Sequence, residues 1–408
     1  MALIGKLLGT VVKRGSLTVI DAGGERTTYG PGGAPALTVR FADRKVPLDL
    51  IRNPRLGIGE TYMDGRLVIE DGTLLDLLEL VVGANRWEDG GRGRKMFGKS
   101  KLSAFKALWR RNRPASARRN VAHHYDLRDE LYDTFLDSNR QYSCAYFTSP
   151  GNSLERAQAD KMAHIAAKLD LKPGQRVIDI GCGWGGMALY LNRVAKVEVL
   201  GITLSEEQLK VARQAAKDAG VAKQVRFELI DYRDVTGPFD RIVSVGMFEH
   251  VGLAHYDEFF AKCRDLLKPD GVMLLHTIGK LGKASAAPDP FSDKYIFPGA
   301  YLPSLAAVTA ASARARLLAS DVEILRLHYA YTLRHWLKRC HKARAKIEAM
   351  YDARFFRMWE YYLAGAIVFF EHGAGCNYQI QFIRDRATLP ITRDYLAKAE
   401  TRLRKAAG

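Results

Sequence analysis

The chain has 408 residues, 47% of them hydrophobic and 26% charged, which fits a folded protein of about two or three domains and excludes disordered and fibrous classes. Its 62 Lys and Arg residues outnumber 45 Asp and Glu, leaving a formal charge of +17 that would attract a polyanion, either nucleic acid or anionic lipid. The longest apolar stretch near the C-terminus, 363–370, ends at Glu371 and His372, far short of the roughly 20 residues of a spanning helix, so a polytopic membrane protein is excluded.

At the N-terminus Leu3, Ile4, Leu7, Leu8, Val11 and Val12 follow helical spacing with Lys6, Lys13 and Arg14 outside the stripe, a pattern that domain packing and lipid contact explain equally. Lys6 interrupts the apolar run and no small-residue cleavage site follows, so a cytoplasmic protein without a signal peptide is expected. Alternating runs at Leu17 to Ile20 and Leu37 to Phe41, separated by Gly/Pro clusters such as 29–33, read as short strands, and Arg55 to Met63 and Leu74 to Val82 as helices. A small α+β domain over 1–91 results. Residues 92–119 then carry eleven basic side chains and no acidic one, while Leu102, Phe105, Leu108 and Trp109 recur at helical spacing. Such a segment is either a helix that lies in a lipid interface or a solvated linker.

From Arg176 the pattern alternates: strands at Arg176–Ile180, Val197–Ile202, Val225–Ile230, Phe239–Val245 and Gly271–Thr277, with helices at Gly186–Val194, Ser205–Ala219 and His255–Leu267 between them. The expected fold class is α/β, a mostly parallel, doubly wound Rossmann-like sheet over a domain spanning 120–408. Pro288, Pro290, Pro298 and Pro303 mark a loop over the sheet's ligand end, helices run from Leu333 to about Phe370, and alternating Asn377 to Phe382 suits an added edge strand. The five cysteines, Cys144, Cys182, Cys263, Cys340 and Cys376, are widely spaced and read as reduced thiols.

Asp179-Ile180-Gly181-Cys182-Gly183-Trp184-Gly185-Gly186 joins a strand to a helix, where glycines let the backbone approach a ligand at the helix N-terminus. The spacing departs from the dinucleotide fingerprint and favours S-adenosylmethionine over a nicotinamide cofactor. Thr203 and Gln208 stand where the second strand usually offers an acid to ribose hydroxyls, and Asp231 and Tyr232 are placed to meet the adenine with an acceptor and an aromatic face.

These residues, with 123–127, 141–147 (Gln-Tyr-Ser-Cys-Ala-Tyr-Phe), 245–252 (Val-Gly-Met-Phe-Glu-His-Val-Gly) and 275–279 (Leu-His-Thr-Ile-Gly), closely resemble the cyclopropane-fatty-acyl-phospholipid synthases. The likeness runs from about Asn120 to the end. It implies a class I methyltransferase domain preceded by an N-terminal lipid-binding domain, transfer of a methylene from S-adenosylmethionine to a cis double bond of an unsaturated phospholipid, and a homodimer at the inner face of the cytoplasmic membrane. It also implies that Tyr142 and Ser143 help bind the methyl donor.

The chemistry of that reaction sets requirements. A double bond is a weak nucleophile and must be held against the sulfonium methyl at about 3–3.5 Å without water. The resulting carbocation needs aromatic faces, and ring closure removes so acidic a proton that a weak base suffices. By resemblance that base is a bound bicarbonate, held by main-chain groups of Cys144 and Ile278 and by Glu249, His276 and Tyr329. Bland alternatives stand beside each: a buried thiol, an ion-paired Glu249, a satisfied core His276. His123, His124, Glu249 and His276 invite a metal-site reading, but adjacent histidines point apart on most backbones and no i, i+4 pair accompanies them, so no metal site is expected. The runner-up is a sister methyltransferase leaving a methylene or methyl branch. From other classes come a binding-only lipid module and a nucleic-acid methyltransferase, for which the chain carries no familiar motif.

Overall fold

The computed structural model describes residues 2–83, 86–90, 127–282 and 289–407. The basic segment 92–119 and the motif residues 123–126 lie outside them. By backbone contacts the chain divides into two compact units, one of residues 1–104, 287–298 and 333–375, the other of 105–286, 299–332 and 376–408. Segments 287–298 and 333–375, which a division at 119 groups with the C-terminal domain, therefore pack with the N-terminal residues.

In the first unit, strands β1 (Gly15–Ile20), β2 (Arg26–Gly32), β3 (Ala36–Phe41) and β4 (Leu67–Asp71) form a sheet in the order β2-β1-β3-β4. The helix Ala2–Val11 buries Ile4 and Val11 in one cluster with Leu17, Val19 and Val39, so packing accounts for most of the N-terminal stripe, while Leu3 stays 63% exposed. β2 replaces an expected turn. It is an exposed edge strand, where Pro31 costs no ladder bond, and Gly30 and Gly32 take φ values of +105° and +96°. The helix Ala353–Glu371 packs Ala364 and Val368 against Leu74 and Leu78 of the helix Leu74–Val82. No helix among the described residues is long and apolar enough to cross a membrane.

The second unit holds β5 (Arg176–Ile180), β6 (Glu198–Thr203), β7 (Val225–Leu229), β8 (Phe239–Val245), β9 (Leu267–Lys280), β10 (Leu318–Ile324) and β11 (Gly375–Ile383) in the order β10-β11-β9-β8-β5-β6-β7. β9 to β7 along this order are parallel, and β10 and β11 antiparallel. Val177, Ile178, Ile242 and Val243 are buried in β5 and β8, as a sheet covered on both faces requires.

β11 is not the edge strand its alternation suggested: β10 lies outside it, and every residue of β11 is buried. Its apolar side, Tyr378, Ile380 and Phe382, enters the main core. The polar side is paid for by hydrogen bonds. Asn377 and Gln379 meet the His276 ring, and Gln381 donates to the Lys168 carbonyl at 2.5 Å and to the Tyr395 hydroxyl at 2.9 Å.

The helix Leu154–Lys168 starts where Ser153 Oγ accepts from the Arg156 N–H, and turns Lys161, His164 and Lys168 inward. The His164 ring lies between Glu400 and Glu323, and Lys168 Nζ donates to Glu323 Oε2 at 2.5 Å. Despite burial, His164 and Lys168 hold the Glu323 carboxyl down at about 2. A lowered carboxyl contributes stability above its unfolded value that is lost as pH falls through the folded one. Glu323→Gln should therefore cost about 2–4 kcal/mol at neutral pH, with the gap closing as pH approaches 2, read by urea unfolding.

Candidate active site

Strand order in the parallel sheet reverses at β5 and β8, the position at which open α/β sheets bind ligands beyond their carboxyl ends. A cleft opens there, with about 1120 Å³ of free space counting its open mouth. All nine residues expected to bind the cofactor line it: Tyr142, Ser143, Asp179, Gly181, Gly183, Thr203, Gln208, Asp231 and Tyr232.

The loop after β5 shows why glycine recurs. Gly181 has φ +84°, and a Cβ there would fall 2.7 Å from Met247 Cβ; at Gly183, φ +54°, the same atom would point into open space. Gly185, φ +87°, turns the chain into the helix Gly186–Ala195. Asp179 Oδ2 is buried without a partner, and burial pushes its carboxyl up to about 7 although Lys161 pulls it down. An open glycine cradle beside an unpartnered carboxylate oxygen fits a cationic cofactor.

The acceptors expected for ribose and adenine are already engaged within the protein. Thr203 Oγ1 donates to Gln208 Oε1 at 3.0 Å, so the amide nitrogen of Gln208 is the end left to meet a hydroxyl. Arg233 grips the Asp231 carboxylate through Nε at 2.8 Å and Nη2 at 2.7 Å, and its guanidinium carbon sits 5.5 Å over the Tyr232 ring. An adenine at Asp231 and Tyr232 shares them with Arg233.

None of the five residues expected to perform catalysis lines the cleft itself, but Glu249 sits between Met247 and His250, which do. Glu249 Oε1 accepts from the Ile278 N–H at 2.6 Å, while Oε2 is buried with no partner. Burial raises this carboxyl to about 7 against the lowering pull of that N–H. The Cys144 thiol is buried and pushed well above its usual range, so it stays neutral. Residues 145–147 dock on the start of the helix His328–Lys342 that carries Tyr329: the Ala145 N–H donates to Thr332 Oγ1 at 3.0 Å and the Phe147 N–H to His328 Nδ1 at 2.9 Å.

His276 departs from expectation. Its ring nitrogens lie 2.9 Å from Asn377 Nδ2 and 3.1 Å from Gln379 Nε2, and burial holds the imidazole neutral. A neutral imidazole donates once and accepts once, so one of the two amides presents its oxygen to the ring. With both nitrogens engaged, His276 cannot donate directly to an anion as the resemblance implied, and the Ile278 N–H is committed to Glu249.

Further residues, not assigned a role by any motif, build the cleft. Trp184 lines it, with its Nε1–H donated to Asp129 Oδ1, and Arg140 lines it while paired to Asp129 and Asp133. His250 lines it as a neutral imidazole, lowered to about 4 by burial. Gln158 and Lys161 stand behind it; the signal was polar residues on the inward stripe of an otherwise apolar helix face.

The sheet, the glycine turn and the unpartnered Asp179 define a class I S-adenosylmethionine-dependent methyltransferase. Residues 112–380 match the family model for mycolic acid cyclopropane synthetase, and the chain belongs to that family. It is 39% identical over 339 residues to the cyclopropane-fatty-acyl-phospholipid synthase of Escherichia coli, covering 81% of this chain and 84% of that one. A probable fatty acid methyltransferase of Pseudomonas putida is 40% identical over 287 residues, 67% of this chain and 72% of the relative. A solved mycolic acid cyclopropane synthase complexed with SAH and CTAB superposes with a TM-score of 0.62 at 33% identity, covering 65% of this chain and 97% of that one.

Proposed function

We propose that the protein is a cyclopropane-fatty-acyl-phospholipid synthase, forming the ring across the cis double bond of unsaturated phospholipid acyl chains. The observation that carries this reading is Glu249: a fully buried carboxyl, fixed by the Ile278 N–H through one oxygen and unpartnered at the other, beside the cofactor cleft. S-adenosylmethionine supplies the methyl group. The chain's own contribution is to hold the alkene without water and to accept a proton. Beside Glu249, Phe248 stacks on Tyr256 at 4.3 Å and the Tyr301 N–H donates to the Glu249 carbonyl, so the segment that carries the carboxyl is anchored among aromatic residues.

Bicarbonate fits this arrangement at Glu249, whose Oε2 would accept its O–H, and when bound it would supply a weak base. Cys144 and Tyr329 complete the group implied for it, while the Ile278 N–H acts through Glu249, which it holds, and His276 acts at one remove, its ring fixed by Asn377 and Gln379. The name of the Pseudomonas putida relative favours the sister reaction as the second reading. Mass spectrometry of unsaturated phospholipid vesicles incubated with enzyme and S-adenosylmethionine separates the two. A gain of one CH2 that resists hydrogenation is the ring, and a gain that takes up hydrogen is the methylene branch.

Residues 1–91 are read as the lipid-binding domain, 92–119 as the segment that docks on an anionic membrane, and 120–408, apart from the segments 287–298 and 333–375 that pack with the N-terminal residues, as the catalytic domain of a peripheral, cytoplasmic homodimer. Basic groups contribute on the order of 1 kcal/mol each at such a surface. Neutralising Lys99, Lys101, Lys106, Arg110 and Arg111 together should weaken binding to phosphatidylglycerol vesicles far more than S-adenosylmethionine binding. Equal loss of both would point to misfolding and against docking.

A further inference from the structure

Lys161 is completely buried, yet among the described residues its ammonium makes no ion pair by contact. Nζ instead donates to Gln141 Oε1 at 2.6 Å and to Ser143 Oγ at 2.9 Å. One turn back on the same helix, Gln158 Nε2 donates to the main-chain carbonyls of Gln141 at 3.1 Å and Ser143 at 3.0 Å. Four hydrogen bonds from one helix face thus fix segment 141–143, whose three residues all line the cleft.

Neutral partners alone do not call for a cation, because burying an ammonium is expensive and a neutral amide could hold the same oxygens. The charge acts on Asp179. Lys161 is the charged group whose field opposes the effect of burial on that carboxyl, and Asp179 Oδ2 has no partner within the protein. Asp137, Cys144, Asp179 and His276 lie within electrostatic reach of Lys161, and Cys182 within reach of Asp179. Of these, Asp179 is the acid that lines the cleft.

We propose that Lys161 is a positioning residue for cofactor binding, which clamps Gln141 and Ser143 from behind the cleft and presents Asp179 to the cofactor's cationic groups as a carboxylate. The inference rests on reading the cleft as the S-adenosylmethionine site. With Asp179 poised at about 7, an ammonium behind it decides how much of the empty enzyme is ready to receive a cation at neutral pH. Burial pulls Lys161 itself to about 8, so its hold fades only where Asp179 is already ionised.

Calorimetric titration of S-adenosylmethionine across pH tests this. Wild-type affinity should rise with pH through about 7 and then level. In Lys161→Met the rise should move to more alkaline pH by a unit or more, making binding about fivefold weaker or worse at pH 7 and restoring it in alkali. Lys161→Arg should keep the wild-type inflection, and Asp179→Asn should lack it. A Lys161→Met variant that loses the same factor at every pH, or keeps the inflection in place, would overturn the proposal by leaving Lys161 a packing role alone. Should that variant not fold, a flat wild-type profile, or one shared with Asp179→Asn, overturns it equally. Failure of the wild type to bind S-adenosylmethionine at any pH would instead overturn the cofactor reading.

Discussion

Glu249→Gln should lower turnover on unsaturated phospholipid by about a hundredfold or more, while S-adenosylmethionine affinity stays within about twofold of wild type. Glutamine keeps the oxygen that accepts the Ile278 N–H, so the side chain stays in place. It exchanges the open Oε2 acceptor for an N–H donor, which can neither take a proton nor receive an O–H. The wild-type profile should carry the same signature. Since the carboxyl sits at about 7 and the ionised form is the acceptor, kcat/KM should rise with pH up to 7 and level above it, an inflection the variant lacks. Stability moves the other way. Raised carboxyls make the folded state bind more protons than the unfolded one, so the contribution of Glu249 falls as pH climbs from the ordinary glutamate range to about 7. The variant should therefore melt no lower than wild type above that pH. Equal turnover in variant and wild type would remove Glu249 from the chemistry.

Gly181→Ala should cost both cofactor affinity and stability. The residue is held at φ +84°, where a side chain costs about 1–2 kcal/mol. The new methyl would also meet Met247 Cβ at 2.7 Å, and Met247 is itself a wall of the cleft. We expect S-adenosylmethionine binding to weaken about tenfold or more. Gly220→Ala is the control. It has φ +68°, and its added methyl would meet nothing within 4 Å, so it should pay the backbone cost and leave binding unchanged. If both variants bind alike, the Met247 contact does not shape the site.

The sheet was legible because each of β5 to β8 is short, apolar and bounded by turn residues, and because Ser205, read as a helix start, does cap the helix Glu206–Asp218. The cofactor loop was legible because glycine has few other reasons to recur there. Edge strands were not: β2 is interrupted by glycine and proline, and β10 carries Asp321 and Glu323 among exposed apolar residues, so neither shows buried alternation. β11 did alternate, but its polar side chains face buried partners on β9 and elsewhere, which no local pattern distinguishes from water. The same holds for His276 and Lys161, whose roles come from partners far along the chain. The association of 333–375 with the N-terminal residues is likewise a long-range contact that composition does not signal.

The most direct measurement is mass spectrometry of unsaturated phosphatidylglycerol vesicles incubated with enzyme and S-adenosylmethionine carrying a CD3 methyl, with and without added bicarbonate and before and after hydrogenation. Acyl chains should gain one CD2 with loss of their double bond, hydrogenation should leave this product unchanged, and removing bicarbonate should slow its formation. Retention of all three deuterons, or a product that takes up hydrogen, would contradict ring formation.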